Sequence, residues 1–431
     1  MRWLWFATLT LIIFLTGLFS GWFWLWAAIL ILIDIFFIGI INWSFIKLHL
    51  HRAIPLRVQI LLWLLITTLL LRLFVLESLT LSNTGMQPYL KNGDNVLVSK
   101  LRYGPRLPIT PINFPFTHHY LPFSRGKQSY LVKPAIPYIR LRGFVKIQRG
   151  DLMAYNFPEG DSVYIGAENL SYHAIARSKE ASINQVVSGD AHFRPVDRRE
   201  VEVSRCLGIP GDTILFYNGQ AYINGALERP NFNRYKYLVE ADNTELLTEL
   251  FEEFDLEASD IKILPDKGYL VPLSAEQAQK VKIQQGITNV EPYIQKQSRG
   301  NIQIFPHEPS FPWNTDQFGP VIVPSSGNLI DLNVQNMSLY ERLISVYEGN
   351  SLLIENNTIY INNKASSQYK VKMDYYFVAG DSRHYSRDSR HWGFLPEDHI
   401  IGKPWLIWLS LSSRPGKGIR INWDRNFDIL K

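Results

Sequence analysis

Thr213-Ile-Leu-Phe-Tyr-Asn-Gly-Gln-Ala-Tyr-Ile-Asn-Gly225 is echoed later in the chain by Ser351-Leu-Leu-Ile-Glu-Asn-Asn-Thr-Ile-Tyr-Ile-Asn-Asn363. In each copy a run of β-branched and aromatic residues meets Asn-Gly or Asn-Asn and then a second such run. That is the strongest short-range signal for a two-residue hairpin. Further short runs at Asn95 to Val98, Leu152 to Tyr155 and Trp405 to Leu409 are set off by Gly, Pro and Asn, with few helical periods between them. The reading is a mainly antiparallel β domain. Between the two copies, residues 240–284 have helical character, with Asp242 three residues before Glu245 and Ser274 three before Gln277 as candidate capping boxes. Residues 228–350 are therefore expected to form an inserted α+β lobe. The β domain is assigned to residues 81–227 and 351–411, and 412–431 is left as a C-terminal tail.

Upstream of the β pattern the chain changes character. Three apolar runs, at about 3–19, 22–41 and 58–76, each approach the ~20 residues that span a bilayer core, so residues 1–80 are expected to be an anchor of three transmembrane helices. Met1-Arg2-Trp3 offers little positive n-region, and no small-residue cleavage site follows, so all three runs are expected to be retained. Lys47, Arg52 and Arg57 lie between the second and third runs, and the positive-inside rule places that loop in the cytoplasm. The main domain would then be periplasmic, on a multi-pass protein of a bacterial inner membrane. Asp34 and Arg72 fall inside apolar runs, where the choice is between a functional pair and a packing or snorkelling role.

Composition narrows the classes further. Across 431 residues, 44 Lys and Arg stand against 39 Asp and Glu, a slight excess read as spread along the chain, so nucleic acid is not expected as a partner. Cys206 is the single cysteine, which excludes an internal disulfide, and no CxxC or Cys/His cluster offers a zinc site. No metal or cofactor is expected. The proline-rich stretch 104–123 cannot be a sheet interior and is expected to rest on a membrane surface; its adjacent His118 and His119 would point apart on an extended chain.

Four blocks carry the chemistry. They are Ser82-Asn-Thr-Gly-Met-Gln-Pro-Tyr-Leu90 with Gly93-Asp94; Arg149-Gly-Asp-Leu-Met-Ala-Tyr-Asn-Phe-Pro158; Ser204-Arg-Cys-Leu-Gly-Ile-Pro-Gly-Asp212; and Gly380-Asp-Ser-Arg-His-Tyr-Ser-Arg-Asp-Ser-Arg390 running on to Trp392-Gly-Phe-Leu-Pro-Glu397. In this order they resemble the bacterial type I signal peptidases, membrane-anchored Ser/Lys endopeptidases that remove signal peptides on the outer face of the membrane.

The resemblance implies a nucleophilic serine immediately before Met86 and an oxyanion-binding serine two places earlier. Those positions hold Gly85 and Asn83. It also implies a general-base lysine immediately before Arg205, and that position is Ser204. A serine attacks an amide only when a base takes its proton, and a desolvated lysine can do so; glycine offers no nucleophile and serine no base. Arg205 cannot substitute, because a guanidinium stays protonated. Ser82 and Thr84 would face away from position 85 if the segment is extended, and a displaced Lys91 or Lys100 would also have to reach it. Met86, Pro88, Arg205 and Asp212 match the surrounding motifs. Asp381, Arg383, Ser386, Asp388 and Arg390 inherit places that brace the β core, Ser386 being where the family bonds its lysine. Asn83, Thr84 and Tyr89 also depart from the pattern, as expected of natural drift.

The expectation is a catalytically silent member of that family. Its expected partners are membrane lipid, signal peptides or precursors, an active signal peptidase, or secretion machinery. Peptide would pair with an edge strand around residues 82–86. The rivals are an active peptidase with a relocated nucleophile and a structural subunit whose groove is filled by bulky side chains.

Overall fold

The computed structural model describes the chain outside residues 1–2, 4–5, 12, 15–26, 39–55, 82–83, 115–116, 118, 122–123, 125–126, 165–170, 178–190, 229–232, 242–253, 255, 257–259, 265–267, 297–300, 415–417 and 431. The chain divides into two units, one of residues 1–80, 94–146 and 401–431, the other of 81–93 and 147–400.

In the first unit, the strand Leu76–Thr80 pairs antiparallel with Asp94–Ser99, whose other edge takes residues 403–410 of a long C-terminal strand. Asp94 is fully buried and is held by Arg425 at 2.6 Å, so the tail residues close this sheet. The described residues of 101–146 double back as an irregular antiparallel hairpin, joined at Leu107 to Ile139, Leu131 to Ile112 and Leu121 to Lys127. Its prolines remove the donors a regular ladder needs.

The expected three-helix membrane anchor is overturned here, because among the described residues no helix is long and apolar enough to cross a membrane. The helix Ala27–Ile33 has 7 residues and passes into a π-helical turn, Asp34–Ile38. The helix Leu56–Phe74 has 19 residues, but Arg57, Gln59 and Arg72 confine its stretch free of charged and amide side chains to Ile60 through Leu71, and Thr67 and Thr68 interrupt that stretch. At ~1.5 Å per residue that stretch is roughly 18 Å long, well short of the ~30 Å of a hydrocarbon core. Arg72 sits at the end of this helix, 3.8 Å from Glu77, and its carbonyl accepts from Lys100, which also pairs with Glu77 at 2.8 Å. The expected basic loop at Lys47 and Arg52 lies outside the described residues, as does the Asp242–Glu245 capping box.

The second unit carries both hairpins. Thr213–Tyr217 pairs with Gln220–Ile223, and Leu352–Glu355 with Thr358–Ile361. The turn residues Asn218 and Gly219, and Asn356 and Asn357, all have positive φ, as a two-residue turn between right-twisted strands requires. The echo extends beyond the turns. Asn224 accepts from the Thr213 amide at 2.8 Å, and Asn362 accepts from the Ser351 amide at 3.0 Å, so each copy is laced across its open end by the same asparagine. Ile214, Phe216 and Ala221 of the first copy and Ile359 of the second enter one core, with Phe318, Tyr369 and Phe377.

A separate small core of Val239, Val271, Leu273, Val281 and Val290 belongs to a four-stranded sheet backed by the helix Ala275–Lys282. Ser274 caps that helix in a complete capping box with Gln277. The strand Phe318–Ile322 instead joins the main core beside Thr213–Tyr217. Ser274→Ala is expected to cost ~1 kcal/mol locally. The readout is faster amide hydrogen exchange across residues 275–282 with exchange in the Leu152–Asn156 strand unchanged.

Candidate functional site

Residues 84–90 are not an edge strand. They form a succession of tight turns in which the Thr84 carbonyl accepts from Gln87 at 3.1 Å and that of Met86 from Leu90 at 2.9 Å. Met86 and Leu90 are buried and pin the turns to the interior, and the Gly85 carbonyl is taken by the Ser382 amide at 3.0 Å. The expected edge strand along residues 82–86 is corrected for its described part, since residues 84–86 turn instead of extending and offer no ladder for a peptide strand. Asn83 and Ser82 lie outside the described residues.

Gly85 is buried against Ser386. A Cβ built on Gly85 would stand 3.3 Å from the Ser386 Oγ, a tight but accommodable approach. Among the described residues the Ser386 hydroxyl has no hydrogen-bond partner. Gly380 makes this approach possible. A Cβ there would fall 2.4 Å from the Gly85 carbonyl oxygen and closer still to Ser386, so only glycine lets the three segments meet.

Ser204 lies on the strand Val201–Gly208, opposite Met153 of Leu152–Asn156. Its hydroxyl is buried and bonded to the Tyr155 hydroxyl at 2.9 Å, which in turn lies 3.4 Å from the Glu202 carboxylate. Side chains two apart on a strand share a face, so Glu202 and Ser204 project together. Burial and the nearby Glu202 carboxylate hold the Tyr155 phenol well above its ordinary range, so it remains a donor. Burial likewise pushes the Glu202 carboxyl up to about 7, although Arg387 and the Tyr155 hydroxyl both favour its ionised form. Neither Tyr155 nor Glu202 is singled out by the sequence motifs. The alternation that places 202 beside 204 was the signal for the acid, whereas Tyr155 needs the strand pairing itself.

The remaining residues form ion pairs behind this site. Arg205 donates to Asp381 through Nε at 2.9 Å and Nη2 at 2.8 Å, donates to the Gly150 carbonyl at 2.8 Å, and lies over the Tyr89 ring at 5.1 Å. Asp388, fully buried, accepts from Arg390 at 2.9 and 2.7 Å and from the Gly380 amide at 3.1 Å. Burial alone would raise the Asp388 carboxyl, but Arg390 and His391 hold it far below the usual carboxylate range. Arg383 pairs with Glu228 at 2.7 Å, and Asp212 with Arg149. Pro88 is half-buried at the turn. No group of metal-ligating side chains is assembled among the described residues.

The family model described as Signal peptidase, peptidase S26, matches residues 56–272 and 326–409. The chain belongs to the signal peptidase family. The match takes in all four motif blocks and both copies of the hairpin. No curated protein matches the chain. Membership in a signal peptidase family suggests association with a membrane.

The raised Glu202 carboxyl has a signature in stability. The folded state raises the Glu202 pKa, so its contribution is fully present below the ordinary value of 4.5 and is lost as pH rises through about 7. Glu202→Gln should therefore gain stability relative to the parent chain at pH 8 but not at pH 4.5. The expected difference in urea unfolding is about 2 kcal/mol, after discounting for partial exposure.

Proposed function

We propose that this chain is a catalytically silent member of the signal peptidase family that binds or scaffolds on the periplasmic face of a bacterial membrane rather than cutting. One observation carries the reading: the nucleophile position is Gly85, and the general-base position is a serine whose hydroxyl is spent on Tyr155. A guanidinium tied to Asp381 cannot take a proton, and Lys100 is committed to Glu77. The partners this reading favours are signal peptides or precursors, an active signal peptidase, or the secretion machinery. With residues 84–86 turned instead of extended, this reading favours recognition through side-chain contacts over strand addition.

A second reading has an observation of its own. Ser386 presents an unbonded hydroxyl beside Gly85, where a relocated nucleophile would be wanted. Its weakness is the base, for no lysine is bonded to Ser386 among the described residues.

Purified chain should leave a preprotein intact under conditions where an active signal peptidase cleaves it. Gly85→Ser alone should restore nothing measurable, since the new hydroxyl lacks a base, and the same holds for Ser204→Lys alone. The minimal repair is Gly85→Ser with Ser204→Lys, aided by Tyr155→Phe to remove the hydroxyl that bonds position 204. Cleavage by the unmodified chain that disappears in Ser386→Ala would overturn the silent reading in favour of the second.

A further inference from the structure

Between Asp381 and Arg390 every residue is buried or half-buried except Arg387. Its guanidinium lies over the Phe157 ring, 4.5 Å from the centroid, and 39% of the side chain is open to solvent. A guanidinium held on an aromatic face keeps its edge free to fork a carboxylate. Those donors are unspent, for among the described residues the Arg387 guanidinium makes no hydrogen bond. Glu159, 3.9 Å away, gives both its oxygens to Arg177, at 2.7 and 2.8 Å. Asp161 is likewise taken, by Arg342 and His173, each at 2.8 Å. The other carboxyl that Arg387 attracts is Glu202, which accepts from Tyr155 and is pushed up to about 7 by burial, so at neutral pH it is only a partial counter-charge. Arg177 offsets Glu159 and Arg342 offsets Asp161, which leaves Arg387 as the cation in surplus.

Its place is the rim of the site already described. Arg387 directly follows Ser386, which lies against Gly85, and it attracts Glu202, which shares a strand face with Ser204. We infer that Arg387 is a carboxylate-reading subsite on this rim, and that the polypeptide held there presents an Asp or Glu side chain to it. The inference rests on the proposed reading of the site as one that binds signal peptides or precursors, and it names the feature such a ligand carries. The surroundings favour an incoming anion. Arg177, Arg342 and Arg387 all act on Glu159, and burial together with the Arg177 charge pushes the His307 imidazole down to about 4, the mark of a positive local potential. One free fork suits a carboxylate. A phosphate dianion would call for more than one, and Arg177 and Arg342 are committed to the fold. Because Phe157 already holds the guanidinium in place, little freedom is lost when the ligand binds.

The test uses the purified full chain in detergent and a fluorescent synthetic precursor peptide, an apolar signal segment followed by a short polar tail free of acids. A single Asp is walked along the peptide and compared with Asn at each place by fluorescence anisotropy. At one position, or two adjacent ones, Asp should bind about fivefold tighter than Asn, as expected of a charge-assisted fork that is partly open to solvent. Arg387→Gln should bring the Asp and Asn peptides to the same affinity. Arg387→Lys, a point charge without the fork, should keep only part of the preference. Both substitutions fall at an exposed position, and thermal melts of the two variants check that the fold is kept. Peptides that bind with no preferred place for Asp overturn this inference and leave the binding reading standing. So does a preference that survives in Arg387→Gln, or one that inorganic phosphate abolishes where chloride of equal ionic strength does not, since the site would then serve a free anion. Failure of every peptide to bind, with Asp or with Asn, sinks the binding reading and this inference with it.

Discussion

The Asp388 carboxylate, completely out of water, sets the terms for what surrounds it. Removing an ion of this size from water costs several kcal/mol after relaxation, so Asp388 must be met from every side. Arg390 meets it with two charge-assisted bonds, the Gly380 amide with a third, and its own helix start, Ser389–Trp392, with an N-cap. The Gly380 bond fixes the strand end against which Ser386 and the Gly85 carbonyl close, so the contour of the site follows from the need to satisfy one buried acid. Arg205 with Asp381 repeats the solution a strand away. Such pairs add little net stability over apolar packing, but losing either partner strands a charge at a cost of ~3–5 kcal/mol. The fourth sequence block is held to its composition by that asymmetry.

None of these pairs passes through position 85 or 204. The carboxylates and guanidiniums are satisfied by one another and by backbone groups, so a chain can exchange serine for glycine and lysine for serine without leaving an ion unpaired. The fold and the chemistry of this family are in that sense separable, and the separation is visible in which residues match the motifs and which depart from them.

The parts of the architecture that could be read from the sequence were those where local chemistry has one solution. Asn218-Gly219 and Asn356-Asn357 must turn because positive φ is cheap only for such residues, and Ser274 to Gln277 caps a helix wherever the helix is placed. The readings that failed depended on context. The run at 58–76 has the length of a span although Arg72 lies within it, and the helix it belongs to, Leu56–Phe74, also carries Arg57, Gln59, Thr67 and Thr68. Residues 82–86 looked extended by analogy, but Thr84, Gln87 and Leu90 close on one another before any strand can form. Charge counted over the whole chain concealed a hairpin holding eight cations and no acid. Tyr155 could not be found at all, since it meets Ser204 across a strand pair 49 residues apart in sequence.

The environment of Ser204 explains why a serine restored at position 85 would find no partner in its present surroundings. Desolvation acts with opposite sign on acids and bases: a pocket dry enough to depress a lysine towards neutrality raises a carboxyl towards the same value. In this chain the ionisable group facing that space is Glu202, pushed up to about 7, with Tyr155 and Ser204 hydroxyls aligned on it. The physical property that would tune a general-base lysine survives while the group it acts on has changed from base to acid. Reintroducing a lysine at 204 would place an ammonium beside that carboxyl, and their attraction would draw the lysine pKa back up, against desolvation. The strength of a repaired base thus depends on Glu202 as much as on the lysine itself.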